Sequence, residues 1–341
     1  MKTTQQCQFS RGKNVMVNSL NILFTSSGRR VSLINKFKDV YEEYNIEGKI
    51  ITADVKQNAP TAFISDKHYI LPSINHENYL TELLSLCIRE NISLIIPLID
   101  TELPLFAFNK QIFSEYGVKL LVSGMELNEI AGDKNKTYNF FVSNNISTPK
   151  VYSKEELRRN EYNFPLLLKP YDGSSSKGVT LITNEEELNF FKSYIPNAMV
   201  QEFITGEEYT VDVMVDFGGN VKTIVPRLRL ETRAGEVSKG ITRKDITIIN
   251  AVKGVVKALP DPVGCITIQC IKKENGDIKF IEINPRFGGG IPLTIEAGAN
   301  FPLWVIEMSQ GKVFTDQYFG WKDNITMLRY DEAIFTEKIL Q

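Results

Sequence analysis

Apolar and polar residues alternate in two different ways along the chain, and the change falls near residue 125. Before it, short apolar runs alternate with stretches in which apolar residues recur every three or four positions, beginning with a strand over residues 21–26 and a helix over residues 30–44. Strands that alternate with helices favour a parallel sheet that is covered on both faces. The pattern therefore predicts an α/β domain over residues 19–124.

The second part of the chain mixes short helices with runs that are typical of antiparallel strands. This pattern predicts an α+β region, which we divide into a central subdomain over residues 125–197 and a C-terminal subdomain over residues 198–341. The polar residues 1–18 lack the apolar run of a signal peptide, and we expect them to form a flexible extension.

The clearest local signal is a β-hairpin in the C-terminal subdomain. Two apolar, β-branched runs flank Asn275-Gly276, a pair that favours a two-residue turn. If these two residues form the loop, Gln269 lies opposite Glu282 and Thr267 lies opposite Asn284. Alternation along a strand then places these four polar side chains on one face of the sheet.

The two faces of this hairpin differ in chemistry. The residues expected on the buried face are Ile266, Ile268, Cys270, Ile281 and Ile283. On the opposite face, one carboxylate and two amide oxygens at close range suit a hard cation such as Mg²⁺. An ordinary solvated face would show the same alternation, so the hairpin alone does not decide between the two interpretations.

Composition and charge exclude several classes of function. The net charge of −2 leaves no basic footprint for nucleic acid or an anionic membrane. No apolar run approaches the roughly 18 residues that a membrane span requires. With only His68 and His76 present, a histidine-based metal site or a Ser-His-Asp triad is not expected. The four cysteines lack zinc-site spacing, which favours free thiols in a cytoplasmic protein.

The first strand-to-helix turn argues against a dinucleotide cofactor. It contains Gly28 alone, where the dinucleotide fingerprint has three glycines, although Asp54 could mimic the acid that binds the ribose. We expect this crevice to hold a small substrate instead, with Arg29 and Arg30 nearby. A dehydrogenase in this half remains an alternative that a test of NAD(P)H binding would address.

Two lysines and a glycine- and serine-rich loop are the candidates for phosphate binding. Lys169 closes an otherwise apolar strand, where a buried ammonium needs a partner. Lys134 lies in the first turn of a predicted helix, where the helix dipole favours an anion. The loop from Gly173 to Gly178 offers backbone N–H groups and hydroxyls that can surround phosphate oxygens. Its serines are Ser174, Ser175 and Ser176.

In their order along the chain, these motifs resemble those of the ATP-grasp superfamily. The resemblance covers residues 20–310, nearly the whole chain. Its segments are Gly132-Asp133-Lys134, residues 164–178, residues 201–208 and the hairpin ending in Glu282-Ile283-Asn284-Pro285-Arg286. The sequence is most similar to the carbamoyl-phosphate-synthetase-like branch and its stand-alone amide ligases, because Gln269 stands where ligases of D-alanine usually have aspartate. It holds one such unit, so carbamoyl phosphate synthesis by this chain alone is not expected.

The resemblance implies a Rossmann-like domain in front of an ATP-grasp fold that binds ATP and Mg²⁺ (or Mn²⁺). The implied phosphate ligands are Lys134, Lys169 and the loop with Gly173, Ser174, Ser175, Ser176 and Gly178. The implied adenine hinge is Glu202, Phe203 and Ile204, with Gln201 as an alternative to Glu202, and the ribose ligand is Glu208. The implied metal ligands are Gln269, Glu282 and Asn284. The implied catalytic residues are Lys169, Asn284 and Arg286.

The implied activity is ATP-dependent ligation of a carboxylate to an amine through an acyl phosphate, with release of ADP and phosphate. Arg227, Arg229, Lys239 and the loop from Arg286 to Gly290 are expected to border the acceptor region. Their charge predicts an acidic or phosphorylated partner, such as an amino acid, a peptide or a sugar-linked acid. The expected partners are small-molecule carboxylates and amines and a second copy of the chain in a homodimer, with no nucleic acid and no membrane. The alternative is a regulatory or degenerate nucleotide-binding module without ligase turnover.

Overall fold

The computed structural model describes residues 19–173, 178–312 and 316–337. Its N-terminal part contains a five-stranded parallel sheet with the order β3-β2-β1-β4-β5. The strands are β1 (Asn21–Thr25), β2 (Ile50–Asp54), β3 (Lys67–Ile70), β4 (Ile92–Pro97) and β5 (Lys119–Leu120). The helices are α1 (Val31–Glu43), α2 (Tyr79–Arg89), α3 (Leu103–Phe108) and α4 (Lys110–Glu115), with 3₁₀ turns at Pro60–Phe63 and Asp100–Glu102. The predicted Rossmann-like arrangement is confirmed.

The central part contains a three-stranded antiparallel sheet with the order β7-β6-β8. Its elements are α5 (Met125–Gly132), α6 (Lys134–Ser143), α7 (Lys154–Arg158), β6 (Leu166–Pro170), β7 (Thr180–Ile182), α8 (Glu185–Tyr194) and β8 (Ala198–Glu202). The subdomain boundary predicted from the sequence lies between residues 197 and 198. Because β8 pairs with β6, this boundary divides the three-stranded sheet.

The C-terminal part contains a six-stranded antiparallel sheet with the order β13-β12-β9-β10-β11-β14. The strands are β9 (Glu207–Val215), β10 (Val221–Arg233), β11 (Glu236–Thr242), β12 (Gly264–Lys272), β13 (Ile278–Asn284) and β14 (Thr326–Leu328). The helices are α9 (Ile246–Ala258), α10 (Ile291–Glu296) and α11 (Phe301–Ser309). None of the helices described is both long and apolar enough to cross a bilayer.

The turn between β12 and β13 differs from the prediction. The backbone N–H of Gly276 donates to the carbonyl of Lys273 (2.9 Å), and that of Lys273 donates to the carbonyl of Asp277 (2.8 Å). The loop therefore has three residues, 274–276, with Gly276 in the left-handed region at φ +89°. The two-residue turn was the wrong prediction, because Asn-Gly serves equally well at the end of a three-residue loop.

A β-bulge restores the predicted pairing further along the hairpin. Cys270 lies opposite Phe280, whereas Gln269 lies opposite Glu282, so Ile281 has no residue opposite it. The predicted pairs are confirmed: Gln269 with Glu282 and Thr267 with Asn284. Phe280, rather than the predicted Ile281, is buried on the apolar face. The displacement made by the longer turn is thus cancelled before the polar residues are reached.

The hydrophobic core joins the two ends of the chain. One cluster of buried residues combines one face of the parallel sheet with the apolar face of the six-stranded sheet. Phe37 of α1 meets Phe287 with ring centroids 6.0 Å apart. The three-stranded sheet has a separate small cluster built around Leu166, Leu168 and Val200.

Candidate active site

The polar face of the six-stranded sheet forms the floor of the candidate site. Strand alternation places the polar residues of β9 on the face opposite its apolar ones, and the pairing aligns them with polar residues on β10, β12 and β13. These residues, which we call the polar floor, are Glu208, Thr210, Asp212, Arg227, Arg229, Thr267, Gln269, Glu282 and Asn284.

Lys169 and Glu282 come from different sheets and act on each other across the site. Lys169 is 8% exposed near the end of β6. The pKa of its ammonium is lowered to about 8, mainly by burial, while the charge of Glu282 opposes the shift and that of Lys134 adds to it. In the part of the chain that the structure describes, the two do not form an ion pair, and the carboxylate of Glu282 accepts no hydrogen bond. A buried ammonium and a free carboxylate therefore remain available for a ligand.

Lys134 joins the central helices to the start of the glycine- and serine-rich loop. Asp133 caps α6 by accepting from the N–H groups of Asn135 (2.7 Å) and Lys136 (3.2 Å). The N–H of Lys134 donates to the carbonyl of Tyr171 (2.9 Å), and its ammonium donates to the carbonyl of Gly173. Lys134 also lies close enough to Lys169 for its charge to lower the pKa of the Lys169 ammonium, as expected of two lysines that share one anion.

The predicted phosphate loop is only partly described. Gly173 follows the turn after β6, and Gly178 lies at φ +73°, where glycine is favoured. Ser174, Ser175 and Ser176 lie outside the described residues, so their predicted contacts remain predictions.

The predicted adenine hinge links the three-stranded sheet to the six-stranded sheet. Gln201 is 4% exposed and its amide donates to the carbonyl of Pro149 (3.4 Å). The carboxylate of Glu202 accepts from the N–H of Lys150 (3.1 Å), which fixes it at the edge of the sheet. Phe203 and Ile204 are half-buried and connect β8 to β9. The hinge therefore has fixed ends, and the choice between Gln201 and Glu202 for base contacts remains a prediction.

Arg229 connects two residues that were predicted to bind different parts of the ligand. Its Nη1 donates to Glu208 (2.5 Å) and to the amide oxygen of Gln269 (3.3 Å), and its Nη2 donates to the carbonyl of Gly235 (2.9 Å). The carboxylate predicted for the ribose and the amide predicted for the metal are thus held by one guanidinium.

Asp212 and Arg227 form a buried ion pair at the centre of the polar floor. Asp212 is fully buried, Arg227 is 1% exposed, and Arg227 donates twice to the carboxylate, from Nε at 2.7 Å and from Nη2 at 3.0 Å. The hydroxyls of Thr267 (3.3 Å) and Thr294 (2.5 Å) also donate to this carboxylate. Asp212 was missed in the sequence, although its place two residues after Thr210 in an alternating strand carries the same signal as the hairpin.

These pairs correct the expected acceptor region. Arg227 is neutralised by Asp212, Arg229 by Glu208, and Lys239 lies 2.6 Å from the carboxylate of Glu231. The three cations therefore have acidic partners within the chain. An acidic or phosphorylated acceptor therefore remains a prediction, because these three charges alone do not establish it.

Arg286 is held from both sides. Its Nη2 lies 2.5 Å from a carboxylate oxygen of Asp100 and 3.2 Å from the amide oxygen of Asn284, and its Nη1 donates to the carbonyl of Phe287 (3.3 Å). Asp100 belongs to the N-terminal domain and was not found in the sequence, because no local pattern marks a contact across 186 positions.

The side-chain oxygen atoms on the polar face of the hairpin are suitable ligands for a hard cation. Glu282 offers a carboxylate, while the amide oxygens of Gln269 and Asn284 already accept from Arg229 and Arg286. Among the described residues, no three His, Cys, Asp or Glu side chains cluster closely enough to hold a metal ion. One carboxylate with amide oxygens suits Mg²⁺, which is usually completed by phosphate and water oxygens.

Both carboxylate oxygens of Asp54 already accept hydrogen bonds from the backbone. One of its oxygens accepts from the N–H of Gly28 (2.8 Å) and the other from the N–H of Lys56 (3.1 Å). The carboxylate stabilises the first strand-to-helix turn and the loop after β2.

Two protein-family models match the chain. The model of the PylC-like N-terminal domain matches residues 22–121, and an ATP-grasp domain model matches residues 131–290. The second match contains all the described residues predicted to bind ATP or the metal.

Several characterised ligases and synthases are similar in sequence. The D-alanine–D-alanine ligase of Fusobacterium nucleatum is 37% identical over 112 residues, which cover 33% of this chain and 38% of that protein. The carbamoyl-phosphate synthase of Methanobrevibacter smithii is 22% identical over 86% of this chain and 81% of that protein. The 3-methyl-D-ornithine–L-lysine ligase of Methanosarcina acetivorans is 24% identical over 76% of this chain and 66% of that protein. The matches to the D-alanine–D-alanine ligases of F. nucleatum and Pelagibacter ubique span only 38% and 61% of those proteins.

Solved structures share the fold at lower identity. The biotin carboxylase domain dimer of Hydrogenobacter thermophilus 2-oxoglutarate carboxylase, solved with MgADP, ADP and bicarbonate, superposes with a TM-score of 0.72 at 18% identity, covering 91% of this chain and 74% of that one. The N5-carboxyaminoimidazole synthetase of Staphylococcus aureus, complexed with ADP, gives 0.69 at 16% identity over 89% and 82%. The chain therefore contains an ATP-grasp domain over residues 131–290 with a PylC-like domain in front of it over residues 22–121.

Proposed function

We propose that the protein is an ATP-dependent ligase that joins a carboxylate to an amine through an acyl phosphate and releases ADP and phosphate. The observation that carries the proposal is the pair Lys169 and Glu282, which lie on two different sheets and whose charges interact, although the described residues show no ion pair between them. Such a pair is suited to a ligand with both anionic oxygens and a bound cation, as Mg-ATP has.

The described residues divide into groups that match the parts of ATP. Lys134 and Lys169 bind the phosphates, the hinge from Gln201 to Ile204 binds the base, and Glu208 binds the ribose. Because Glu208 is already paired with Arg229, the ribose hydroxyls share that carboxylate with the guanidinium. Glu282, with Gln269 and Asn284, holds Mg²⁺ (or Mn²⁺), which when bound neutralises part of the triphosphate charge.

The chemistry requires two transfers. An oxygen of the substrate carboxylate attacks the γ-phosphorus of ATP, the bond to the bridging oxygen of ADP breaks, and an acyl phosphate and ADP are formed. The amine nitrogen then attacks the acyl carbon, phosphate leaves, and the amine proton passes to solvent. Lys169 and Arg286 reduce the repulsion between two anions in the first step, and Arg286 neutralises the acyl phosphate.

We further propose that both substrates are small molecules, since the net charge of −2 offers nothing for nucleic acid or an anionic membrane. The 3-methyl-D-ornithine–L-lysine ligase is named for two amino acids, which supports this class of substrate. The biotin carboxylase domain is described as a dimer, which supports a homodimer here.

The test is ADP formation with a panel of carboxylates and amines, combined with trapping of the acyl phosphate by hydroxylamine. We expect the wild-type protein to form a hydroxamate and ADP in equal amounts with its substrate. Glu282→Gln should abolish both, while Glu274→Gln, at the exposed tip of the same hairpin, should change neither. Tight ATP binding without ADP release across the whole panel would instead favour the regulatory module.

A further inference from the structure

A buried group of four residues lies beneath the loop that begins at Arg286. The carboxylate of Asp212 accepts hydrogen bonds from two guanidinium nitrogens of Arg227 and from the hydroxyls of Thr267 and Thr294. These partners belong to β10, β12 and α10, so one side chain of β9 connects three other elements. We call the four residues the Asp212 cluster. None of them is more than 3% exposed, so the carboxylate of Asp212 is shielded from any substrate.

The loop from Arg286 to Gly290 lies directly on the Asp212 cluster. The hydroxyl of Thr267 lies 3.2 Å from the carbonyl oxygen of Arg286, and it shares its one proton between that oxygen and Asp212. A Cβ at position 288 would lie 3.0 Å from Oγ1 of Thr267, and a Cβ at position 290 would lie 2.2 Å from Nη1 of Arg227. The loop can approach the cluster this closely because glycine occupies both positions.

Both ends of this loop have a contact with the cluster. At its start, Thr267 donates to the carbonyl of Arg286. At its end, Gly290 precedes α10, whose Thr294 donates to the carboxylate of Asp212. A change at Asp212 should therefore displace the backbone that carries the guanidinium of Arg286.

The charges of the cluster indicate a role beyond packing. Burying an ion pair costs desolvation energy, and well-packed apolar side chains of similar size are often equally stabilising. An ion pair adds direction, because each N–H or O–H group must point at a carboxylate oxygen. In the described part of the chain, Nη1 of Arg227 is buried without an acceptor, so the position of this guanidinium depends on Asp212.

We propose that Asp212 is a positioning residue, which through its three partners fixes the loop 286–290 and so holds the guanidinium of Arg286 where the substrate is phosphorylated. The inference rests on the proposed function, since it treats Arg286 as the residue at the acyl phosphate. A displacement of a catalytic group by about 1 Å can slow a reaction about 100-fold. The proposed phosphate ligands Lys134 and Lys169 belong to other elements, so ATP binding should not depend on the cluster.

The ¹⁵Nε–¹Hε NMR signal of Arg286 reports the position of its guanidinium in the full-length protein. In Asp212→Asn and in Thr267→Val this signal should move from its wild-type chemical shift. The affinity for acetate, measured from the same signal, should fall at least about fivefold, the size expected for one lost hydrogen bond. Thr267→Ser keeps the hydroxyl and should restore both values.

Thr223→Val is the matched control for these variants. It removes the hydroxyl of a fully buried threonine in the same sheet, which donates to the carbonyl of Gln317 (2.9 Å) and not to the cluster. The loss of a buried hydrogen bond is therefore comparable, while the signal of Arg286 and its acetate affinity should stay at their wild-type values.

Each outcome decides the proposal. An unmoved Arg286 signal in Asp212→Asn and Thr267→Val, an equal change in Thr223→Val, or no restoration by Thr267→Ser would overturn it. If Asp212→Asn does not fold, the two substitutions at Thr267 decide it. Absence of acetate binding at Arg286 in the wild type would also overturn it.

Mg-ATP affinity and ADP formation separate this inference from the proposed function. Calorimetry on the same samples should give wild-type Mg-ATP affinity for Thr267→Val, and its loss would refute a role confined to Arg286. A protein that shows the expected changes at Arg286 but forms no ADP with any carboxylate would refute the ligase and leave the link between Asp212 and Arg286 in place. ADP formation with an unmoved Arg286 signal in the variants would refute the link and leave the ligase.

Discussion

Asp100 and Arg286 form an ion pair of 2.5 Å that connects the N-terminal sheet domain to the proposed catalytic arginine. Arg286 also donates to Asn284, so its guanidinium is held between the two domains. The contact places a residue of the PylC-like domain directly at the proposed reaction centre.

Removing the charge of Asp100 should strengthen anion binding at Arg286. In Asp100→Asn the guanidinium loses a competing carboxylate. We expect the affinity for acetate, followed by the ¹⁵Nε–¹Hε NMR signal of Arg286, to rise about fivefold, the effect of roughly 1 kcal/mol at a partly exposed pair. The melting temperature should change little for the same reason. Asp39→Asn, a change at a carboxylate 61% exposed on α1, is the control. An unchanged affinity in Asp100→Asn would show that Asp100 does not compete with ligand.

Lys169 should make ATP binding depend on pH near 8. Its ammonium has a pKa of about 8 in the folded protein, so the positive charge is lost as the pH rises through this value. ATP affinity should therefore fall between about pH 7 and pH 9, and calorimetric titration would measure it. Lys169→Met should bind ATP weakly and without this dependence, whereas Lys136→Met, next to Lys134 but half-exposed and paired with Glu129, should behave as the wild type.

The same ionisation should affect stability with the opposite sign. The ordinary pKa of a lysine side chain is 10.5, so between about pH 8 and this value the unfolded chain binds more protons than the folded one. The free energy of unfolding of the wild type should therefore rise with pH in this window relative to Lys169→Met. Denaturant titrations of both proteins at pH 7.5 and pH 10 would show it, and parallel curves would contradict burial of the ammonium.

Nucleotides that lack ribose hydroxyls test whether Glu208 binds the ribose. If Glu208 binds the ribose, Glu208→Gln should weaken ATP by about 1.5–3 kcal/mol, and it should affect 2′,3′-dideoxy-ATP much less. Comparing two nucleotides on one variant removes the effect of leaving Arg229 unpaired. Glu207→Gln is the control, because the carboxylate of Glu207 accepts from the hydroxyl of Tyr209 on the other face of β9. Equal losses for both nucleotides would contradict the assignment.

Gly290 should not tolerate a side chain. A Cβ at this position would lie 2.2 Å from Nη1 of Arg227 and 2.6 Å from Cγ1 of Val237, and Asp212 prevents the guanidinium from moving away. We expect Gly290→Ala to lower the free energy of unfolding by about 1–3 kcal/mol. Gly254→Ala, at an exposed position of α9 with no atom within 4 Å of its Cβ, should raise it by roughly 0.5–1 kcal/mol. Chemical denaturation of the two variants measures both values.

The sequence predicted the polar face of the hairpin because strand alternation is a local property. The pairs of Gln269 with Glu282 and of Thr267 with Asn284 were correct although the turn was wrong, since the bulge at Ile281 offsets the longer loop. The predicted turn was one residue too short and the prediction lacked the bulged residue, and these two errors cancelled. A hairpin register counted from the turn alone would fail wherever such a bulge is missing.

The partners of the charged residues could not be predicted in the same way. Alternation assigned Arg229 to a polar strand, but only the folded sheet places it beside Glu208 and Gln269. Asp100 reaches the site from the other end of the chain, and nothing in its own segment marks that contact. The number of charged residues in a segment therefore indicated which part of the chain lines the candidate site. It did not show which of these charges are neutralised by a partner in the folded protein.

The division of the hydrophobic core has a consequence for how the molecule loses its structure. Because buried residues of the first and last parts of the chain belong to one cluster, these parts should unfold in a single cooperative transition. The three-stranded sheet, with its own small cluster, should be able to open while the rest stays folded. Hydrogen–deuterium exchange should therefore show two protection classes, with β6 and β8 exchanging earlier than β1 and β12. When this sheet opens, Lys169 at the end of β6 would lose its contact with the nucleotide. The amides that exchange most slowly and the proposed phosphate ligand would then belong to different cooperative units.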